Sequence, residues 1–232
     1  MKVLAFSDIH SPFGHPNYLK WLLKVVEDEK PDEIVLNGDA FDNYAWSSFS
    51  TDPDKQSQRP EYLAALKGLK GYYEAFPELK MVLGNHDRRP WRKAKSAGIS
   101  DDFMKDFKDI YKCPEGWDIK DRHIIDGVLY DHGELIGGSG GWQNAPLKYG
   151  QSVVFGHLHA VAGTRFFMRP SGEVIFSCGL GCGMDIRAYA FEYAKNSPTP
   201  PVLSCGIIEG SEKAKVLTMP ARFRQTRRQP YE

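Results

Sequence analysis

Lys2-Val3-Leu4-Ala5-Phe6-Ser7-Asp8-Ile9-His10 reads as a short buried strand, Lys2 to Ser7, that runs straight into two polar residues spaced by one. A Pro/Gly-rich loop from Ser11 to Pro16 follows, and Leu19, Leu22, Leu23 and Val26 then recur at helical spacing. Pro31 stops this helix, Glu33 to Leu36 makes a second apolar run, and Asn37-Gly38-Asp39 closes it. The order strand, loop, helix, strand, loop is that of an α/β protein.

The pattern continues outward. Ser47 to Pro60 is loop-like, Glu61 to Ala75 reads as a helix, and Lys80 to Leu83 is a third strand ending at Gly84-Asn85-His86-Asp87. Each strand delivers polar residues at its C-terminal end, where open α/β sheets place their ligand sites. A helical, charged region extends from Arg88 to about Tyr111. The remainder is β-rich, with runs at His123 to Tyr130, Ser152 to Phe155, Thr164 to Met168, Glu173 to Ser177, Val202 to Ile208 and Lys215 to Thr218. Gly137 to Gly141 is a glycine-dense loop, and Ala221 to Glu232 reads as a basic surface tail.

With 232 residues and 41% hydrophobic content, the chain has material for one substantial core, so a single domain over 1–220 is expected. Lys plus Arg equals Asp plus Glu at 30 each, which argues against a uniformly basic or acidic surface and leaves local patches open. No run approaches a membrane-spanning length and no signal-peptide pattern is evident, so a cytoplasmic protein without membrane contact is expected. The cysteines Cys113, Cys178, Cys182 and Cys205 read as reduced thiols, because Cys178 and Cys182 have no second ligand pair nearby.

Of seven histidines, five lie at the ends of apolar runs: His10 with Asp8, His86 with Asn85, His132, and His157 with His159. Oxygen and imidazole donors suit borderline or hard divalent ions, such as manganese, iron, zinc, cobalt or nickel. On an extended chain residues i and i+2 project to one side, so Asp8 with His10, and His157 with His159, are each expected to address one ion. Asn85 and His86, being adjacent, point apart, one to a metal and the other to a substrate.

Taken in order, Asp8-Ile9-His10, Gly38-Asp39-Ala40-Phe41-Asp42, Gly84-Asn85-His86-Asp87, Asp131-His132-Gly133-Glu134 and Gly156-His157-Leu158-His159 resemble the blocks of the calcineurin-like metallophosphoesterase family. The resemblance spans positions 8 to 159. It implies a four-layer α/β/β/α sandwich of two mixed sheets, with accessory segments near 43–58 and 88–118. By similarity, one metal ion is held by Asp8, His10, Asp39 and His159, and a second by Asn85, His132, His157 and the shared Asp39. Manganese is the first expectation for both. His86 would sit beside the scissile phosphate, with Asp87 orienting it, while Asp42 would brace a loop or a ligand histidine.

Two divalent cations set against Asp8, Asp39 and a bridging hydroxide leave a net positive centre for an anionic phosphate. The implied chemistry is attack by that hydroxide in line with the leaving oxygen, with His86 protonating or stabilising the leaving group. A phosphodiesterase or nuclease acting on nucleotides or nucleic acid is the first expectation. A small-molecule phosphomonoesterase and a non-catalytic scaffold of the same fold are the alternatives.

Arg88-Arg89-Pro90-Trp91-Arg92-Lys93-Ala94-Lys95 follows the Gly84 block directly. Arg88 and Arg89 are candidates to grip a nucleic-acid backbone and Trp91 to stack on a base, the alternative being a solvated helix face. Tyr44 is a candidate wall against a nucleobase, or it packs beneath its loop. Asp87 stands where protein Ser/Thr phosphatases of the superfamily carry Glu, and the chain is shorter than theirs, which disfavours that activity. No long C-terminal capping domain of the double-strand-break exonuclease kind is evident. Ser177 to Cys182 replaces the Asn-Pro-Gly-Ser turn of many small bacterial members.

Overall fold

The first strand, β1 (Lys2–Phe6), is apolar on both sides because each side faces an interior: Val3 and Ala5 point between two sheets, Leu4 and Phe6 toward helices. A computed structural model of the chain describes residues 1–47, 57–137, 140–185, 187–188 and 199–224. After β1 come α1 (Tyr18–Glu29), β2 (Glu33–Asn37), α2 (Gln58–Ala75), β3 (Glu78–Val82), α3 (Arg89–Ser96), α4 (Phe107–Tyr111) and β4 (Gly116–Lys120). The second half comprises β5 (Arg122–Ile125), β6 (Val128–Asp131), α5 (Ala145–Tyr149), β7 (Ser152–Phe155), β8 (Ala162–Met168) and β9 (Val174–Leu180), then β10 (Ser204–Glu209), β11 (Lys213–Thr218) and α6 (Ala221–Arg224).

Two mixed sheets face each other. One has the order β11-β10-β1-β2-β3-β4, the other β5-β6-β7-β9-β8. The strands β1 to β4 are mutually parallel, as are β6, β7 and β9, whereas β5, β8, β10 and β11 pair antiparallel with their neighbours. Between the sheets lie Val3, Val35, Val82, Val154, Phe176 and Leu180. Full burial of a side chain such as Phe176 contributes about 1.5–3 kcal/mol, which holds the sheets together. Helices α1 and α2 cover the outer face of the first sheet through Tyr18, Trp21, Leu22, Ala65 and Leu69. Over the second sheet the helical layer among the described residues is thin, consisting of the five-residue α5 and the turn carrying Trp142.

This is the α/β/β/α architecture that the resemblance implies, with three local departures. The run His123 to Tyr130 is two strands: Asp126 and Gly127, at φ 48° and 76°, form a tight turn and fold β5 back on β6. Strand β4 begins within the accessory stretch 88–118, runs on to Lys120 and adds in parallel to β3. Leu23 is 43% exposed, because the buried stripe of α1 is Tyr18, Trp21, Leu22 and Val25. Residues 48–56 of the other accessory stretch, and 225–232 of the basic tail, lie outside the described residues. All four cysteines are free thiols, three of them buried. Among the described residues no helix is long and apolar enough to cross a membrane.

Candidate metal centre

Five parallel strands end at one place. β1 leads to Asp8 and His10, β2 to Asp39, β3 to Asn85 and His86, β6 to His132, and β7 to His157 and His159. The loops after β1 and β2 run side by side, with Asp8 N donating to Gly38 O (3.0 Å) and His10 N to Asp39 O (2.9 Å). Asp8, His10, Asp39 and His157 all have left-handed backbones, with φ of 55°, 51°, 52° and 61°. That conformation costs an L-residue about 1–2 kcal/mol, so surrounding contacts must hold these side chains in place.

The extended-chain expectation therefore does not apply: β1 ends at Phe6, and His157 and His159 turn to different partners. His159 Nε2 lies 3.1 Å from Asp8 Oδ1 and 3.2 Å from His10 Nε2. His157 Nδ1 instead meets Asn85 Oδ1 at 3.0 Å, which is also 3.1 Å from His132 Nε2. Asp39 Oδ2 stands between the two groups, 3.0 Å from His132 Nε2 and 3.9 Å from His10 Nε2.

The separations of 3.0–3.2 Å suit shared metals. Ligand atoms about 2.0–2.2 Å from one ion stand roughly 2.8–3.6 Å apart at tetrahedral or adjacent octahedral positions. Asp8, His10 and His159 form one such group, and Asp39, His132 and His157 another. The electrostatics agree. Asp8 and Asp39 are buried, and among the described residues no lysine or arginine pairs with either. A buried carboxylate without a cation is costly, so the donor set fits divalent ions.

Around the donors, further groups fix which imidazole nitrogen is offered. His132 Nδ1–H donates to Asn37 O (3.0 Å), and His10 Nδ1–H to Asp42 Oδ2 (2.9 Å), leaving both Nε2 lone pairs for a ligand. Burial alone would raise the Asp8 and Asp39 carboxyls. The imidazoles of His159 and His10 nonetheless hold Asp8, and those of His132 and His86 hold Asp39, well below the usual carboxylate range. Burial likewise opposes charging of His10 and His132, but Asp42 and Asp8 carry His10, and Asp39 carries His132, up to about 10. His157 is lowered by burial and by His132.

Glycine recurs before these ligands for a steric reason. A Cβ on Gly84 would collide with the Asp39 carboxylate, and one on Gly38 with the His132 ring.

His86 faces away from Asn85. Its N–H donates to Asp39 Oδ1 (2.8 Å), its ring packs edge-on against His10 at 4.5 Å, and its Nδ1–H donates to Asp42 O (3.0 Å). Asp87 is not the carboxylate that orients it. The Asp87 oxygens accept from the backbone N–H groups of Asp39 (2.8 Å), Gly84 (2.9 Å) and Phe41 (3.0 Å), tying the β2 loop to the β3 loop. Burial and the neighbouring Asp39 charge push Asp87 up to about 7. Among the described residues the carboxylate nearest the His86 ring nitrogens is Asp42, with Oδ2 3.5 Å from Nδ1.

The basic stretch divides. Arg88 is held by Glu134 (2.9 Å) and Asp121 (2.8 Å), and Arg92 by Glu134 (2.8 Å). Trp91 is partly buried against the helix-side core and stacks on Phe107 at 5.9 Å, so it serves packing there. Tyr44 packs beneath its loop against the cluster of Phe13, Cys182 and Met184. Of these five residues Arg89 alone turns toward His86, with Nη2 3.1 Å from His86 Nε2.

Two contributors, Asn37 and Glu61, were not singled out in the sequence. Asn37 ends β2 and its Nδ2 crosses to the second sheet, donating to Asp131 O (2.9 Å) and Val154 O (3.2 Å). Glu61 on α2 accepts from Tyr44 N (2.5 Å) and Ala45 N (2.7 Å), fixing the loop beyond Asp42. A polar residue closing an apolar strand was the available sign for Asn37, and nothing local marked Glu61.

Facing mixed sheets with aspartate, asparagine and histidine donors gathered at their strand ends are the arrangement that the resemblance to metallophosphoesterases implies. The profile described as calcineurin-like phosphoesterase matches residues 1–161, and the chain belongs to that family. The Gene 54 protein of Mycobacterium phage D29 is 26% identical over 189 residues, covering 68% of this chain and 69% of that protein. Among solved structures, Yfce, a phosphoesterase from E. coli, aligns at 17% identity over 90% of this chain and 88% of its own, with a TM-score of 0.45. Vps29 from Chaetomium thermophilum aligns at 12% identity over 94% and 97%, with a TM-score of 0.44.

Proposed function

We propose that this chain is a metal-dependent phosphodiesterase that hydrolyses phosphate esters of nucleotides or nucleic acid. The observation that carries the reading is the convergence of Asp8, His10, Asp39, Asn85, His132, His157 and His159, with His86 beside them. One divalent ion would be held by Asp8, His10, Asp39 and His159, the other by Asn85, His132, His157 and Asp39, with manganese the first candidate for both. When bound, such a pair activates water and neutralises charge on the phosphoryl oxygens. The chain's own share is to orient the donors through Asn37 and Asp42, to bury Asp8 and Asp39, and to aim His86 at the open edge.

A cavity of about 520 Å³ beside His132 supports the diester choice. Leu83, Arg88, Arg92, Arg122 and Leu135 line it. A diester carries a second organic group past the reacting phosphate, and this space is of small-ligand size. One observation favours a small-molecule phosphomonoesterase instead: the carboxylates of Glu134 and Asp121 offset Arg88 and Arg92, reducing the positive field a polyanion needs.

The test is hydrolysis of bis(p-nitrophenyl) phosphate against p-nitrophenyl phosphate, using chelator-stripped protein reloaded with manganese. Diester turnover should exceed monoester turnover and should collapse in His86→Ala. A strong monoester preference overturns the diester reading. Inactivity on both esters, with His86→Ala indistinguishable, points to a scaffold.

A further inference from the structure

We propose that Arg89 is the side chain that grips the reacting phosphate, exchanging a contact with His86 Nε2 for a phosphoryl oxygen when the anion enters. The inference rests on the phosphoesterase reading and assigns the anion-recognising residue within it.

The first observation is where the guanidinium points. Arg89 opens α3, its side chain is 19% exposed, and Nη2 lies 3.1 Å from His86 Nε2 while Nη1 lies 2.9 Å from Asp42 O. A carbonyl oxygen only accepts and a guanidinium only donates. The bonds therefore fix the arrangement: His86 Nδ1–H donates to Asp42 O, and Arg89 Nη2–H donates to His86 Nε2. A phosphoryl oxygen that approaches Nε2 meets the Arg89 N–H groups in the same small volume.

The second observation is how weakly Arg89 is paired. Arg88 and Arg92 each end on carboxylates at 2.8–2.9 Å. Lys95 does the same on Asp101 at 2.6 Å. Among the described residues Arg89 reaches its nearest carboxylate oxygen, Asp42 Oδ1, only at 3.4 Å. The other oxygen of that carboxylate already accepts from His10 at 2.9 Å. A planar, permanently charged fork bonded to a backbone carbonyl and a neutral ring nitrogen is poised for a better acceptor. Exchanging the His86 contact for an anionic oxygen replaces a bond to a neutral acceptor with one to a charged acceptor, which is roughly twice as strong.

The third observation is geometric economy. Asp42 braces His10, His86 and Arg89 together. Movement of Arg89 toward a phosphate can leave the His86 Nδ1 bond and the His10 bond in place, so the donors need not rearrange.

The experiment uses the full chain loaded with manganese, in wild type, Arg89→Ala and Arg89→Lys. Binding of inorganic phosphate is followed by calorimetry, and metal content and ester hydrolysis are measured alongside. Arg89→Ala should bind phosphate about 10- to 100-fold more weakly at unchanged metal content, the range for a lost charged hydrogen bond. Arg89→Lys should recover little of it, and added guanidinium should partly restore hydrolysis by Arg89→Ala. Phosphate affinity unchanged in Arg89→Ala at full metal content overturns the proposal. So does loss of metal from both variants, since that marks a purely supporting role. Phosphate binding reads the Arg89 contact whether or not esters turn over, whereas a wild type inert toward both esters refutes the enzymatic reading itself.

Discussion

Asp42 Oδ2 accepts from His10 Nδ1 at 2.9 Å, and both side chains are buried. The bond leaves His10 only its Nε2 lone pair to offer, so under the proposed ligation Asp42 would set how that imidazole meets an ion without touching the ion itself.

Asp42→Ala should therefore weaken manganese binding about 10- to 100-fold while the fold persists, the range for loss of a group behind a metal ligand. Metal titration followed by calorimetry, with circular dichroism as the control on folding, measures it. Unchanged affinity would mean that the surrounding packing alone aligns His10.

Metal uptake should rise steeply with pH. In the metal-free protein His10 and His132 are raised to about 10 by burial-opposed carboxylate contacts, so near neutrality both hold protons that an ion must displace. Apparent affinity should gain about tenfold per pH unit for each displaced proton between pH 6 and 8. Stability has the opposite sign. A histidine raised above its unfolded value stabilises the metal-free fold fully below about 6.5, and that contribution is lost as pH climbs through about 10. Melting temperatures with chelator should fall across that window, and those with manganese should fall less.

Gly84→Ala should be disruptive although it adds one methyl group. The new Cβ meets the Asp39 carboxylate and the Asp39 backbone nitrogen, neither of which can retreat. A loss of about 1–3 kcal/mol in urea unfolding is expected, the usual cost of overpacking, together with weaker metal binding.

Asn37→Ala should separate stability from metal affinity. It strands the buried carbonyls of Asp131 and Val154, a cost of about 1–3 kcal/mol, yet the backbone oxygen that orients His132 remains. Denaturant unfolding should shift clearly, while manganese affinity should change by less than a few-fold.

Much of the donor set was legible because coordination chemistry restricts residue type: only a few side chains serve, and they stand where apolar runs stop. What remained hidden depends on which strand end meets which. Asp87 adjoins His86 in sequence, but its carboxylate serves three backbone amides, and it is Asp42, from a different loop, that reaches the ring. His157 and His159 share a strand end, and the resemblance already separated them, but the extended-chain argument paired them because the left-handed backbone at His157 has no local sign. Trp91 sits in a basic stretch, but an aromatic cluster supplied by Phe107 and Tyr111 absorbs it. Asp126-Gly127 was readable as a turn on local grounds, and the apolar residues on either side masked it.

Each donor group draws on both sheets: Asp8 and His10 come from one and His159 from the other, while Asp39 and Asn85 meet His132 and His157 across the seam. Neither half of the chain can assemble either donor group alone. A nascent or partly unravelled copy therefore holds neither group complete, and closing the sandwich is what brings them together.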